Sequence, residues 1–255
     1  MGCTGSRCAE LIYLDLEDYT RRVLAAEWPG SAIQRNVADA LKAGAIAVRS
    51  YGLAYTSQTY ICSTQACQVL NGRTFVETDA AVRATKGIVL ADGLAVARAE
   101  YAAETNNMGC GDGYSGEKSA SSPCIGDAVC KGRKGYGHGR GMCQNGSVAW
   151  ASGKTDQEPR DWQWILHHYY PRYKLIPSRC DLNNDFKIDT NDVNMAISMA
   201  LGAIPCTAEA DLDNNGACNV VDVQRIINAT IASDSCFDAV DVTTVGAVGT
   251  PVKRP

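Results

Sequence analysis

The sequence predicts two structural units, an α+β domain over residues 1–176 and a small all-α module over residues 180–233. In the first unit, long segments with a 3.6-residue apolar period are interspersed with short strand-like segments and turn residues. In the second unit, a loop followed by a helical pattern occurs twice, with the two copies starting 30 residues apart. A chain of 255 residues can hold one medium and one small domain, and the medium one can bury a full core.

The first helix is predicted between Leu14 and Trp28, and Pro29-Gly30 ends it. Its apolar face is formed by Leu16, Tyr19, Val23 and Ala26. Glu27 follows on the buried side, at the C-terminal end of the helix, where desolvation and the helix dipole both disfavour an ionised carboxylate. We therefore expect a raised pKa for Glu27, which suits a general acid. A structural glutamate that pairs with a nearby arginine is the alternative.

A second, long helix of mostly small residues is predicted over residues 37–55. Gly44 lies on its buried stripe, and since a glycine there costs about 1 kcal/mol relative to Ala, we expect another backbone to approach closely. Further along, Asn71-Gly72 and Asp92-Gly93 predict hairpin turns, with a helical stretch from Asp79 to Thr85 between them. Helices and short strands together make the domain α+β.

The segment Tyr136–Gly146 contains four glycines in eleven residues, which allows a tight loop that places His138 and Gln144 at the surface. Such a loop suits a binding or catalytic site. A glycine-rich linker with an idle histidine is the alternative, because one histidine without a second ligand is weak evidence.

Twelve cysteines divide into eight before residue 180 and four from residue 180 onward. Both counts are even, which favours disulfides and an oxidising compartment. Zinc is the competing interpretation, and we disfavour it because the chain has no CxxC pair and the spacings are irregular. The candidate zinc ligands are Cys110, Cys124, Cys130, His138 and Cys143.

The charge distribution argues against a nucleic-acid-binding protein, and the hydropathy pattern argues against a membrane span within this sequence. Residues 177–255 carry 5 Lys+Arg against 11 Asp+Glu, and neither half has a basic stripe that would indicate a nucleic-acid partner. No apolar run reaches the roughly 20 residues of a membrane span. The first ten residues lack the features of a signal peptide, so we expect that an export signal is missing from this sequence and that the protein is extracellular or in the cell envelope. Residues 237–255 are predicted to be a loosely ordered tail.

Two twelve-residue segments, Asp181–Asp192 and Asp211–Asp222, carry oxygen-bearing side chains at positions 1, 3, 5, 9 and 12. This spacing is typical of calcium loops, in which a backbone carbonyl at position 7 completes the ligand set. The predicted Ca²⁺ ligands are Asp181, Asn183, Asp185, Lys187, Asp189 and Asp192 in the first loop, and Asp211, Asp213, Asn215, Ala217, Asn219 and Asp222 in the second. Position 6 normally holds glycine, and Phe186 replaces it in the first loop, so the first site is expected to be weaker or distorted.

Each loop is followed by one predicted helix. Only four residues, 176–179, separate the upstream Tyr-rich segment from Cys180, which directly precedes the first loop, so a second helix that enters this loop, as in an ordinary EF-hand, is not expected. This arrangement, over about residues 180–233, resembles a type I dockerin. The resemblance implies two Ca²⁺ ions and a cohesin-type partner, chosen partly by Thr190, Asn191, Val220 and Val221 at loop positions 10 and 11. The alternative is that calcium only stabilises a small module without a partner. Chelation is expected to loosen this module and leave the first domain folded.

Four segments of the first domain, at residues 16–29, 40–51, 67–68 and 138–144, together resemble the stage II sporulation protein D family, which includes the amidase enhancers of the Lyt B type. The resemblance covers about residues 14–175. It implies a peptidoglycan lytic transglycosylase with Glu27 as the catalytic acid and Trp28 in place of the usual Met. In this reaction the C6 hydroxyl of the muramic acid attacks C1, so one carboxylate suffices where ordinary glycosidases need two.

The same resemblance places Arg49 and Tyr51 in an Arg-Thr-Tyr-like motif, and His138 and Gln144 in a motif where Cys143 replaces Ser. We expect these residues to bind the glycan strand, together with Tyr101, which follows a predicted strand, although a core role for Tyr101 is equally open. Residues 105–135 form an insert that does not align. A non-catalytic peptidoglycan-binding enhancer is the alternative function. A third, suggested by the dockerin resemblance alone, is a cellulosome-like subunit acting on plant polysaccharide.

Overall fold

The computed structural model describes residues 3–4, 7–8, 14–28, 30–35, 37–56, 61–64, 67–104, 126–130, 132–133, 135–153, 158–231 and 236. The predicted tail at 237–255 and most of the insert, including Cys110 and Cys124, lie outside these residues. The helices are α1 (Leu16–Glu27), α2 (Gly30–Gln34), α3 (Ala38–Thr56), α4 (Val76–Ala84), α5 (Gln144–Ala151), α6 (Trp162–Tyr169), α7 (Thr190–Ala200) and α8 (Val220–Ile231). The strands are β1 (Cys3–Thr4), β2 (Arg7–Cys8), β3 (Val89–Asp92), β4 (Ala95–Val96), β5 (Tyr101–Ala102), β6 (Met142–Cys143) and β7 (Lys174–Ile176).

Helix α1 begins at Asp15, whose carboxylate accepts hydrogen bonds from the backbone N–H groups of Glu17 and Asp18. This side chain accepts from backbone N–H groups that have no partner within the first turn of the helix. The acidic side chains of that turn interact favourably with the positive end of the helix dipole. The helix ends at Glu27, as the Pro29-Gly30 signal predicts. Its buried face packs on α3, so the carboxyl group of Glu27 is held at one end of the main helix pair.

Helix α3 is the centre of the first domain and packs against α1, α4, α5 and α6. Close packing occurs at Gly44, but the expected neighbouring backbone is not there. A Cβ atom at this position would lie 2.6 Å from Cε2 of the Trp28 indole and 2.8 Å from a methyl carbon of Leu24. The glycine therefore makes room for the tryptophan that follows Glu27.

The strands are short and lie beside the helices. Strand β3 pairs antiparallel with β4 and with β7, and the Asp92-Gly93 turn joins β3 to β4, with Gly93 at φ +65°. This confirms one predicted hairpin. The prediction of a hairpin at Asn71-Gly72 was wrong, because no strand adjoins this turn in the described residues. The Asn71 N–H instead donates to the Arg22 carbonyl oxygen of α1 at 3.4 Å.

Strands β5 and β6 form a parallel pair, with Tyr101 opposite Met142. The pairing sets the glycine-rich segment beside the strand that carries Tyr101. Gly141 has φ +68°, and a Cβ there would collide with the Glu100 carbonyl oxygen, so this approach requires glycine.

The second unit consists of two loop–helix repeats, in which α7 and α8 pack on each other. Its core contains Cys180, Ala196, Leu212, Val223, Ile226 and Ala229. Disulfides join Cys180 to Cys236 and Cys206 to Cys218, so the four C-terminal cysteines pair among themselves. Cys236 attaches the chain just beyond the predicted module end at 233. In the part of the chain that is described, no helix is both long and apolar enough to cross a membrane.

Candidate functional site

The carboxyl group of Glu27 is half-buried and is held by two segments that are distant in sequence. Its Oε1 accepts a hydrogen bond from the backbone N–H of Val69 at 2.5 Å. The side-chain amide of Gln144 donates to the Glu27 carbonyl oxygen at 2.6 Å and lies 3.5 Å from Oε2. The end of α1, the segment after Cys67 and the N-terminus of α5 therefore meet at one carboxylate.

The pKa of Glu27 is raised above its ordinary value because burial disfavours the charged form. Hydrogen bonds from the Val69 N–H and from Gln144 lower it, but they do not outweigh desolvation. The direction of this shift agrees with the sequence-based expectation. A carboxyl group in this environment keeps its proton to a higher pH than an exposed glutamate, which is what a general acid requires.

A hydrogen-bonded network of polar side chains lies next to this carboxylate. The Gln68 amide donates to the Tyr101 hydroxyl at 2.8 Å, and the Tyr19 hydroxyl donates to the Gln68 side-chain oxygen. Burial raises the pKa of Tyr101 well above its ordinary value, and the neighbouring negative charge of Glu27 adds to the shift, so the phenol stays neutral. Two adjacent residues therefore contact the site: Gln68 donates to the Tyr101 hydroxyl, and the backbone N–H of Val69 donates to the Glu27 carboxylate.

Sequence reasoning did not assign Gln68 or Tyr19 to the site. Gln68 is the second residue of the Cys67-Gln pair, one of the segments that carry the family resemblance. The apolar period places Tyr19 on the apolar face of the first helix and indicates no role in a site. Neither residue has a local pattern that marks it, because their hydrogen bonds cross 49 and 33 residues.

Arg49 does not fit the predicted substrate-binding role. Its guanidinium is fully buried and pairs with Glu17, with Nε–Oε1 at 2.9 Å and Nη2–Oε2 at 2.6 Å. It also donates to the Ile88 carbonyl oxygen at 3.0 Å. These contacts join α1, α3 and the start of β3, so Arg49 stabilises the core and has no surface to offer a glycan.

Tyr51 is almost completely buried, with its ring 4.9 Å from Tyr55 and 6.4 Å from Tyr101 between centroids. The guanidinium of Arg98 lies 4.7 Å above the Tyr55 ring and 5.6 Å above the Tyr51 ring. Burial raises the pKa of Tyr51, so it too is neutral. The Tyr101 ring also contacts Trp28, with ring centroids 5.3 Å apart.

His138 is half-buried in the glycine-rich loop, where its Nδ1 accepts a hydrogen bond from the Arg140 N–H at 3.1 Å. Arg140 pairs with Glu100, with Nε–Oε2 at 2.6 Å. Burial lowers the pKa of His138, and the charge of Arg140 adds to the shift. The imidazole is therefore a neutral group, held by its own loop and by a hydrogen bond with the backbone of Tyr101. Among the predicted substrate-binding residues, Gln144 contacts Glu27 directly, while Tyr101 is linked to its neighbourhood through Gln68.

Cys143 and Cys130 are buried, and their sulfurs lie 3.5 Å apart. Within the described residues, Glu104, Cys130 and Cys143 bring ligand atoms within 4.8 Å of one another, and His138 is not part of that group. Cys143 also caps α5, since its sulfur accepts from the Gly146 N–H at 3.0 Å. Its position fixes the start of the helix that carries Gln144.

The folded arrangement thus brings the end of the first helix together with the glycine-rich loop, two of the four segments that carry the family resemblance. Comparison with known families agrees for the first part of the chain. Residues 4–91 match the SpoIID family model, described as stage II sporulation protein. No curated protein matches the chain significantly.

The SpoIID match includes Glu27, Arg49, Tyr51 and Gln68 and ends before Tyr101 and the glycine-rich loop. It supports a relationship to the SpoIID family and with it a cell-wall-related function of a coarse, hydrolase-like kind. The mixed helix and sheet of the first domain is compatible with a SpoIID-like α+β fold. Residues beyond 91 join the site through contacts seen in the structure, above all that of Gln144.

The two acidic loops that follow the first domain in sequence, residues 181–192 and 211–222, have matching geometry. Both oxygens of the carboxylate at position 1 accept from backbone N–H groups at positions 5 and 6, for Asp181 at 3.1 and 2.7 Å and for Asp211 at 3.0 and 2.7 Å. The position-12 carboxylates, Asp192 and Asp222, likewise accept from backbone at positions 2 and 9. In both copies positions 4 and 6 have positive φ.

This geometry fits a hard cation. The support is stronger for the second loop, where Asp211, Asp213 and Asp222 place carboxylate oxygens within 4.8 Å of one another, whereas the described carboxylates of the first loop do not form such a group. Carboxylate and amide oxygens on a twelve-residue loop are the ligands that Ca²⁺ prefers. The chain would hold it with the side chains predicted from the spacing, and one helix follows each loop as expected.

Proposed function

We propose that this protein is a cell-wall lytic transglycosylase that cuts the MurNAc–GlcNAc linkage of peptidoglycan and uses Glu27 as its acid and base. The observation that carries the proposal is the half-buried carboxyl group of Glu27, with its raised pKa, held between the Val69 N–H and the Gln144 amide. The SpoIID match over residues 4–91, which includes Glu27, supports the cell-wall substrate.

Glu27 performs two proton transfers in the proposed reaction. It first donates its proton to the bridging oxygen, and the bond from that oxygen to C1 of the muramic acid breaks. The ionised carboxylate then accepts the proton of the C6 hydroxyl, whose oxygen bonds to C1 and closes a 1,6-anhydro ring. Water is not consumed, and Glu27 ends protonated as it began. General acid–base catalysis of this kind contributes roughly 10²–10⁴-fold to the rate.

The hydrogen bonds of Glu27 indicate which oxygen transfers the proton. Both oxygens face N–H donors, but the hydrogen bond from Val69 to Oε1, at 2.5 Å, is much shorter than the 3.5 Å contact of the Gln144 amide with Oε2. The better-held Oε1 is the better acceptor, so in the proposed reaction the proton is carried on Oε2. After the first transfer the Gln144 amide faces the new negative charge and stabilises it, so Gln144 orients the carboxyl and balances its two states.

The test is muropeptide analysis of purified peptidoglycan sacculi digested with the full chain. The wild type should release products with 1,6-anhydro ends, and Glu27→Gln, which keeps the shape of the side chain, should release none above background. Glu158→Gln, an exposed glutamate of the same domain, is the matched control and should retain full activity. If the wild type binds sacculi but yields no anhydro ends, the protein is a non-catalytic binding or activating module instead.

For the second unit we propose two Ca²⁺ sites, in a dockerin-like module that docks on a cohesin-type partner. Thr190, Asn191, Val220 and Val221, the positions expected to contact a partner, are all exposed. Val220 is 74% exposed and Val221 48%, which is unusual for valines at the start of a helix that otherwise buries its apolar face.

Calorimetric titration of the chelator-treated chain should give two Ca²⁺ per molecule, and Asp211→Ala should remove one of them. A recombinant type I cohesin module tests the partner. Val221→Asp should abolish its capture, whereas Leu201→Asp, at an exposed position directly after α7, should not. Ca²⁺ binding without cohesin capture would leave the module as a calcium-stabilised appendage.

A further inference from the structure

Phe186 occupies a backbone position that other calcium loops give to glycine. Its φ is +65°, and the corresponding Gly216 of the second loop has φ +91°. Glycine adopts this left-handed conformation without strain, whereas a residue with a bulky side chain does so at a cost in free energy. A compensating interaction of the side chain is therefore expected at Phe186 and not at Gly216.

The phenyl ring of Phe186 makes such an interaction with the first domain. It packs edge-on against Trp162, the first residue of α6, with ring centroids 5.9 Å apart and planes at 80°. This is a favoured geometry for an aromatic pair. Phe186 is also packed against the hydrophobic core of the first domain, although it belongs to the second unit.

The main chain of Phe186 serves the loop at the same time. Its N–H donates to Oδ2 of Asp181 at 2.7 Å, and Asp181 is the predicted ligand at loop position 1. One residue therefore contributes its backbone to the cation loop and its side chain to the contact between the two units. A change in the turn at Phe186 must move both.

Other contacts and charges lie along the same junction. Lys86, on the segment after α4, is buried and donates to the Ala229 carbonyl oxygen near the end of α8 at 3.0 Å. Beside it is a cavity of about 470 Å³ between the two units. Basic side chains of the first domain and acidic side chains of the first loop line it together: Lys42, Arg83, Lys86, Asp181, Asp185 and Asp189. Lys187 of the loop also lines the cavity, so the loop face carries three acidic side chains and one basic one opposite three basic side chains of the first domain.

We propose that Phe186 couples cation binding at the first loop to the docking of that loop on α6 of the cell-wall domain. The inference rests on the proposal that the loop binds Ca²⁺. Bound Ca²⁺ fixes the loop and therefore holds Phe186 in the left-handed turn that directs its ring at Trp162. By reciprocity, the contact with Trp162 favours Ca²⁺ at the first loop. Gly216, at the corresponding position of the second loop, has no side chain that could make such a contact.

Hydrogen exchange measured by mass spectrometry on the full chain tests the coupling, with excess Ca²⁺ and with chelator. In the wild type, Ca²⁺ should slow exchange in the segment 162–169 about fivefold or more, the lower end of typical coupling between sites. Phe186→Gly should bind two Ca²⁺ in calorimetry and lose this effect in 162–169. Leu201→Ala, which removes an exposed apolar side chain of the module, is the control and should keep it.

A reciprocal variant tests the other direction. Trp162→Ala should weaken one of the two Ca²⁺ sites about fivefold and leave the other unchanged. Two bound Ca²⁺ without any change in 162–169 would overturn the coupling and leave the calcium sites intact. Retention of the effect in Phe186→Gly would show that another contact carries it. If no Ca²⁺ binds, both this inference and the calcium sites are wrong, while the proposal for Glu27 is untouched.

Discussion

The side-chain amide of Gln144 donates a hydrogen bond to the backbone carbonyl oxygen of Glu27 at 2.6 Å. The same amide nitrogen lies 3.5 Å from Oε2 of the Glu27 carboxyl group. The two residues are 117 positions apart, and each begins or ends a helix. This contact joins the start of the chain to the glycine-rich loop. It also gives the glutamate a donor that favours its charged form, against the burial that favours its neutral form.

Replacement of Gln144 by Leu should therefore raise the pKa of Glu27 further, because a hydrogen bond to the charged form is removed and desolvation remains. The proton is then lost at a higher pH, so the alkaline limb of the pH–activity profile should move to higher pH. Direct titration of the Glu27 carboxyl by NMR checks the shift without relying on activity. Gln163→Leu, at an exposed position of α6, is the control. A fall in the pKa of Glu27 in Gln144→Leu would contradict this account.

Removal of the buried arginine should destabilise the fold. Arg49→Leu leaves the carboxylate of Glu17 buried without its bidentate partner, which typically costs about 3–5 kcal/mol. Lys42→Leu, on the same helix, breaks only a half-exposed pair with Asp39 and should change the free energy of unfolding by less than about 1 kcal/mol. Urea denaturation measures both. Equal effects of the two substitutions would show that the Arg49 pair is not a core interaction.

Gly44→Ala should also destabilise the first domain, by about 1–3 kcal/mol, although alanine is the better helix former. The new methyl group would overlap the Trp28 indole, which must move, and Glu27 precedes Trp28. Gly30→Ala, where the added Cβ meets nothing within 4 Å, is the matched control and should be neutral or stabilising. Thermal unfolding and tryptophan fluorescence follow the two variants, and a stabilised Gly44→Ala would be inconsistent with the packing described.

The two disulfides of the second unit should differ in their contributions. Cys180–Cys236 closes a sequence separation of 56 residues and Cys206–Cys218 one of 12. Since a longer closed loop restricts the unfolded chain more, replacing the first pair by serines should cost about 4 kcal/mol and the second about 3 kcal/mol. Denaturation of each double variant with Ca²⁺ present gives the values, and the reverse order would argue against loop closure as their main effect.

Patterns of short range predicted the fold well where they applied. The apolar period and the Pro29-Gly30 stop gave α1 and its end, and the loop spacing gave two loop–helix repeats. The Asp92-Gly93 turn was also predicted, because turn chemistry is local. Asn71-Gly72 has the same chemistry, but the Asn71 N–H donates to the Arg22 carbonyl of α1, and no strand of the described residues adjoins this turn.

What the sequence could not supply were the partners of buried polar groups and of special backbone positions. Arg49 belongs to a motif that suggested glycan binding, and only its pairing with Glu17, 32 residues away, shows that it is part of the core. Gly44 indicated close packing without identifying the Trp28 indole. The loop spacing predicts that Phe186 weakens or distorts the first site, and it does not predict that the Phe186 ring contacts Trp162 in the other unit. Each of these depends on packing between distant segments.

In the proposed reaction the Glu27 carboxylate accepts the proton of the C6 hydroxyl, and the C6 oxygen bonds to C1 and closes the 1,6-anhydro ring. Cleavage in water enriched in heavy oxygen tests this central claim most directly. Glycan strands cleaved by the wild-type protein in this solvent should end in anhydro sugars that carry no heavy oxygen, and Glu27→Gln should give no cleavage. Products that incorporate heavy oxygen at the new end, or undiminished cleavage by Glu27→Gln, would contradict the mechanism.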